Sequence, residues 1–135
     1  MAPVFLVLGA LNGALSVALG AFGAHALRAS LDPRALEVFE TAVRYQSTHA
    51  VALLVVALLL ARRPTGLLAA SGWAFTAGIL IFSGSLYLLS LTGVGRWGAV
   101  APIGGSALIL GWILLALGGG RALSGNLRPG ADRDG

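Results

Sequence analysis

From Asp32 to Arg63 the chain reads DPRALEVFETAVRYQSTHAVALLVVALLLARR, and this stretch decides the fold. Its second half, about Tyr45 to Ala61, carries no Asp, Glu, Lys or Arg and is closed by Arg62 and Arg63. An apolar run of roughly 20 residues is what an α-helix needs to cross the hydrocarbon core of a bilayer. Lipid offers no water to peptide N–H and C=O groups, so the run must satisfy them internally by coiling into a helix. Strands are disfavoured, because apolar residues follow one another continuously instead of alternating. The first half opens on Asp32-Pro33. Asp is a good N-cap, and Pro suits the first helical turn. The segment from about 33 to 46 is amphipathic and charged. It either lies along the interface or carries the helix beyond the bilayer.

Three more apolar stretches flank this one, at about 3–27, 66–92 and 99–119, with Arg28, Arg96 and Arg121 at their borders. The connections Arg62–Thr65 and Gly93–Gly98 are short, which makes neighbouring helices antiparallel. The sequence therefore predicts an all-α polytopic membrane protein. Four transmembrane helices form one compact antiparallel bundle, with an amphipathic N-terminal extension on the second. This domain spans 1–121, and a Gly-, Asp- and Arg-rich tail over 122–135 is expected to be disordered. Composition agrees: the chain is 57% hydrophobic and only 10% charged, against roughly 25% charged in soluble domains. A secretory signal is an alternative reading of the first stretch, since Ala24-His25-Ala26 looks like a cleavage site. The first residues carry no basic side chain and the apolar run exceeds a signal core, so a retained helix is expected.

With no cysteine, disulfide and thiolate chemistry are excluded. A basic pI would suit nucleic acid, but the nine arginines are scattered at helix ends and form no basic stripe, so no nucleic-acid partner is expected. Arg62, Arg63, Arg121, Arg128 and Arg133 fall on the side of the termini, against Arg28, Arg34, Arg44 and Arg96 on the other. This weakly favours cytoplasmic termini in an inner-membrane protein.

Lipid tails are as apolar as leucine, so helices in a bilayer associate through close packing of small residues. The first helix carries Gly9, Gly13, Ser16, Gly20 and Gly23 on one face, and Gly9 to Gly13 is a GxxxG match. Ser71, Gly78 and Ser85 recur every seven residues on the third helix, and Gly104, Gly111 and Gly118 do so on the fourth. Packing within the bundle is the plain reading of each seam. Three seams on four helices also leave room for a homo-oligomer. Trp73, Trp97 and Trp112 are expected to include interface anchors.

Polar groups at membrane depth are expensive and tend to be paired or functional. Asn12, Ser16, His25, Glu37, Glu40, Arg44, Tyr45, Gln46, His49, Ser83, Ser85 and Tyr87 are the candidates. Glu40 and Arg44 are four apart in the favourable order for an ion pair, with Glu37 on the same face. Tyr45 and His49 are also four apart. His25 ends the first helix on the side where the second enters, which places it within reach of Tyr45 or His49. Two histidines can handle protons or ligate metal. Two are too few for a metal site without Glu37, Glu40 or a second subunit, so no metal and no cofactor is assigned. Hydrogen bonding to neighbouring helices is the plain reading. The phosphate-binding loop, the HExxH zinc helix and the GxSxG elbow are all absent from the sequence.

Gly20-Ala-Phe-Gly-Ala-His-Ala-Leu27, Tyr45-Gln46, His49-Ala50, Phe82-Ser-Gly-Ser-Leu-Tyr87, Pro102-Ile-Gly-Gly105 and Gly111-Trp112 follow in order. Together they resemble the small bacterial membrane family called domain-of-unknown-function 423, which is related to the eukaryotic transmembrane protein 256 family. The resemblance covers about Phe5 to Gly120. It implies a four-helix inner-membrane protein, and it carries no activity or binding residue with it. It points to His25, Tyr45, Gln46, His49, Ser83, Ser85 and Tyr87 as the polar core. In the family pattern the place of Arg44 takes varied residues, acidic ones included. That undercuts Glu40–Arg44 as a shared mechanism.

Three functions compete at this level. The first is a non-enzymatic bundle acting as an accessory or scaffold component. The second is a small transporter, channel or proton conductor built on His25, Tyr45, Gln46 and His49. The third is a lipid- or quinone-binding protein or enzyme. A polar cluster closed on itself would favour the first, a wet path across the bundle the second, and a sideways-opening cavity near the histidines the third.

Overall fold

A computed structural model describes residues 1–124 as four long helices. We label them α1 (Ala2–His25), α2 (Pro33–Arg62), α3 (Gly66–Thr92) and α4 (Arg96–Ser124). A short 3₁₀ turn, Leu27–Ala29, follows α1. All four are long and apolar enough to cross a membrane, and the protein is an integral membrane protein. The last helix runs to Ser124, past the expected domain boundary at Arg121, because Gly118, Gly119 and Ala122 remain packed in the bundle. The rest of the expected tail, 125–135, lies outside the described residues.

Local chemistry sets the ends. The Asp32 carboxylate accepts from the N–H groups of Arg34 at 2.9 Å and Ala35 at 3.0 Å, and Pro33 opens the helix behind it. The Thr65 hydroxyl accepts from the N–H of Leu68. Gly93 ends α3 with φ 69°, a left-handed cap that a side chain would strain. The charged segment 33–46 is continuous with the membrane span and shares one helix with it. It is an extension of α2, held there by Phe39 and Ala42, which are buried. At about 1.5 Å per residue α2 is roughly 45 Å long, longer than a hydrocarbon core of about 30 Å.

α2 is the central element. α1 lies along it, with Gly9 against Leu54 and Gly23 against Phe39. Ser83 of α3 bonds Ala42 of α2. α3 and α4 form the second hairpin, and their two seven-residue seams meet. The Ser71 hydroxyl donates to the carbonyl of Gly111 at 2.8 Å, Gly78 faces Leu108 and Gly118 faces Leu68. The closest approach of two backbones is at Gly104, where a Cβ would run into the backbone nitrogen of Phe82. Only glycine permits it. Phe82 belongs to a π-helical turn, Ile79–Ser83, which interrupts α3 at this point. The apolar core is Phe5, Leu53, Val56, Leu68, Phe75 and Leu108, drawn from all four helices.

One expected packing residue departs from this pattern. Gly13 meets nothing within 4 Å of where its Cβ would stand. The GxxxG match therefore contributes Gly9 to the α1–α2 contact and leaves Gly13 out of it. α1 crosses α2 at Gly9, and one turn further on long side chains, Asn12 and Gln46, bridge the gap. Gly20 makes ordinary contact with Val43 at 3.4 Å. The Ser16 hydroxyl turns back to the Gly13 carbonyl of its own helix.

Candidate functional site

Two polar sites share α2, on opposite faces. The inner one begins at Gln46, which is 5% exposed. Its amide oxygen accepts from the Tyr87 hydroxyl at 2.7 Å, and its amide nitrogen donates to the Asn12 side-chain oxygen at 3.0 Å. The Asn12 amide in turn donates to the Leu8 carbonyl at 2.9 Å. The bonds run one way, from α3 through α2 to α1, and end on a backbone carbonyl. Chains of this kind polarise each bond in turn.

One turn further along the same face, His49 is also 5% exposed. Its Nδ1 lies 2.7 Å from the Tyr45 carbonyl, and its Nε2 lies 3.1 Å from Nε1 of Trp112 on α4. A carbonyl only accepts and an indole N–H only donates. The proton is therefore assigned to Nδ1, and Nε2 accepts from Trp112. The ring sits among Tyr45, Phe75 and Trp112, with centroids 5.9, 5.6 and 5.9 Å away. Both nitrogens are engaged. Ser83 donates to the Ala42 carbonyl at 2.9 Å, and Ser85 donates to the Phe82 carbonyl of its own helix. Among the described residues no buried side-chain nitrogen or oxygen lacks a partner.

The outer site lies on the opposite face of α2, where Glu37, Glu40, Arg44, Ser47 and Thr48 are exposed. Glu40, Arg44, Ser47 and Thr48 line a hollow of about 330 Å³, whose far wall is Gly20 of α1. Arg44 and Thr48 also border a hollow of about 440 Å³ between α2 and α4, floored by Tyr45, His49, Phe82 and Trp112. A third, of about 430 Å³, continues past Trp112 to Val55 and Leu115.

Tyr45, Gln46, His49, Ser83 and Tyr87 thus meet around α2, while Ser85 is satisfied within its own turn. His25 does not join them. It is exposed, and the facing of Gly23 to Phe39 puts it at the level of Glu37, about 18 Å along α2 from His49. Its position at a helix end suggested proximity, but α2 carries His49 too deep. Trp112 is the partner that sequence reasoning missed, having grouped it with Trp73 and Trp97 as a set that includes interface anchors. Its pairing with His49 depends on how α4 registers against α2, and neither segment alone encodes that. Among the described residues no three His, Asp or Glu side chains come together as a metal site.

Residues 19–105 match the family described as "Protein of unknown function (DUF423)". The chain belongs to this family. The chain is 45% identical over 115 residues to UPF0382 membrane protein YwdK of Bacillus subtilis (strain 168), covering 84% of this chain and 94% of that protein. It is 43% identical over 114 residues to UPF0382 membrane protein SAB0533 of Staphylococcus aureus (strain bovine RF122 / ET3-1), covering 84% and 93%. UPF0382 membrane protein SERP0230 of Staphylococcus epidermidis is 44% identical over the same shares. No solved structure matches the chain. The DUF423 match runs from the end of α1 through Gly105, so it takes in Gln46, His49, Ser83 and Tyr87 but stops short of Trp112.

Proposed function

We propose that this DUF423 protein is a non-enzymatic inner-membrane bundle acting as an accessory or scaffold component, with both termini in the cytoplasm. The observation that carries the reading is the closure of its interior polar groups on one another. A proton conductor needs groups that take up and release protons along a path. Here the Tyr87–Gln46–Asn12 chain passes through two amides, which do not titrate, and ends on the Leu8 carbonyl. His49 is flanked by a carbonyl and an indole N–H. Neither partner can hand a proton on.

Closed networks of this kind rigidify a fold, and a rigid bundle with short loops suits a structural role. The test is purified protein in liposomes carrying an internal pH dye and an imposed pH gradient. The expected result is proton flux equal to that of empty vesicles. A protein-dependent flux that His49→Ala abolishes would overturn the reading.

A further inference from the structure

We propose that the outer face of α2 binds one phospholipid of the surrounding leaflet, with its phosphate on Arg44, its headgroup amine on Glu40 and one acyl chain between α2 and α4. This goes beyond the accessory reading: His49 and Trp112 of the closed interior floor the acyl slot, but their hydrogen bonds run to Tyr45 and to each other, so proton flux and lipid binding are tested separately.

Depth is the first argument. On α2 no Asp, Glu, Lys or Arg lies between Arg44 and Arg62, an interval of about 27 Å at 1.5 Å per residue. That matches a hydrocarbon core of about 30 Å. Arg44 therefore stands at the border where phosphates lie. Length is the second. The hollows run from Arg44 and Thr48 past Trp112 to Val55 and Leu115. From Arg44 to Val55 is about 16 Å, the depth of a single leaflet. A partner helix would cross both leaflets and call for a groove twice as long.

Polarity is the third argument. The upper hollow carries Glu40, Arg44, Ser47 and Thr48 beside Gly20 and Val43, and the lower one shares Ser47 and Thr48 at its top and continues along Val51, Ala52, Val55, Trp112 and Leu115. Polar above and apolar below is the polarity of an amphiphile. Hollows of about 330 to 440 Å³ fall within the usual range of small-molecule sites. Charge selects the headgroup. A guanidinium pairs well with phosphate, and Glu40, one turn away, disfavours a purely anionic headgroup. A primary ammonium, with three N–H donors, matches the Glu40 carboxylate, whereas a quaternary ammonium has no N–H to offer.

Trp112 lines the acyl slot and serves as the reporter. The protein carrying Trp73→Phe and Trp97→Phe is placed in phosphatidylcholine vesicles. Phospholipids brominated in the acyl chain are then titrated in, with ethanolamine, choline or glycerol headgroups. The ethanolamine lipid is expected to reach half-maximal quenching at a mole fraction several-fold below that of the other two. Arg44→Ala and Glu40→Gln should each bring the three curves together, while Arg28→Ala, outside the groove, should leave them apart. Identical curves in the parent protein, or a preference for the glycerol lipid, would overturn the proposal. So would disulfide-linked dimers of Val51→Cys in place of headgroup selectivity, because a second copy would then occupy the groove.

Discussion

Gln46 and Arg44 are two residues apart on one helix, yet they live under different rules. At 100° per residue they point to opposite faces. Gln46 faces the bundle, where its amide nitrogen and its amide oxygen are each paired with another helix. Arg44 faces outward beside Glu40 and Thr48, where α1 and α4 leave hollows on either side. The inner polar groups are consumed in making the fold. Of the outer ones, Thr48 donates only to the Arg44 carbonyl of its own turn, and the Glu40 and Arg44 side chains border the outer hollow. Polarity at membrane depth thus has two meanings, and the helix face separates them.

The difference can be broken most forcefully at Gly104. A valine there would drive its Cβ into the Phe82 backbone and push α4 off α3. Overpacking of this kind costs about 1–3 kcal/mol and sometimes more. It would also draw Trp112 away from His49. We expect the largest drop in resistance to unfolding by sodium dodecyl sulfate, with Gly13→Val, at an uncrowded position, close to the parent.

Gln46→Leu attacks the inner face directly. It strands the Tyr87 hydroxyl and the Asn12 amide oxygen, at a cost of about 1–3 kcal/mol. Adding Tyr87→Phe should recover part of that loss in the same assay, since both partners are then apolar. Full retention of stability in Gln46→Leu alone would show that the network does not tie the helices together. His49→Phe keeps the aromatic packing and removes the acceptor of Trp112. Hydrogen bonds between membrane helices average about 0.6 kcal/mol, so a small but resolvable loss is expected. Arg44→Ala should have the smallest effect on unfolding, within about 0.5 kcal/mol as for other exposed positions, while abolishing the headgroup selectivity. A large destabilisation by Arg44→Ala would erase the distinction between the two faces.

Much of the inner site was legible as a set of residues. Tyr45, Gln46, His49, Ser83 and Tyr87 stood out as polar groups within apolar runs. Who bonds whom was not legible. The pairing of His49 with Trp112 spans 63 residues, and the bond from Gln46 to Asn12 spans 34. His25 looked like a neighbour and is not one, since helix ends give side of membrane but not depth. The π-turn at Ile79–Ser83 has no sequence signature of its own. It comes into view only where Gly104 presses on Phe82. The segment 33–46 was open between an interfacial helix and an extension of α2. Burial of Phe39 and Ala42 favours the extension.

What the amino-acid order determined by itself is that this chain crosses a bilayer four times as helices. Peptide groups in hydrocarbon have no other partners, and helical hydrogen bonds are local, so the length and apolarity of each run suffice. What only the tertiary structure decided is register: which polar groups of α2 are closed inside and which remain open outside. Lipid gives helices no directional preference for one another, so register is set by the interlocking of small residues such as Gly78 and Gly104 with particular side chains and backbone, and that fit exists only once all four helices are in place.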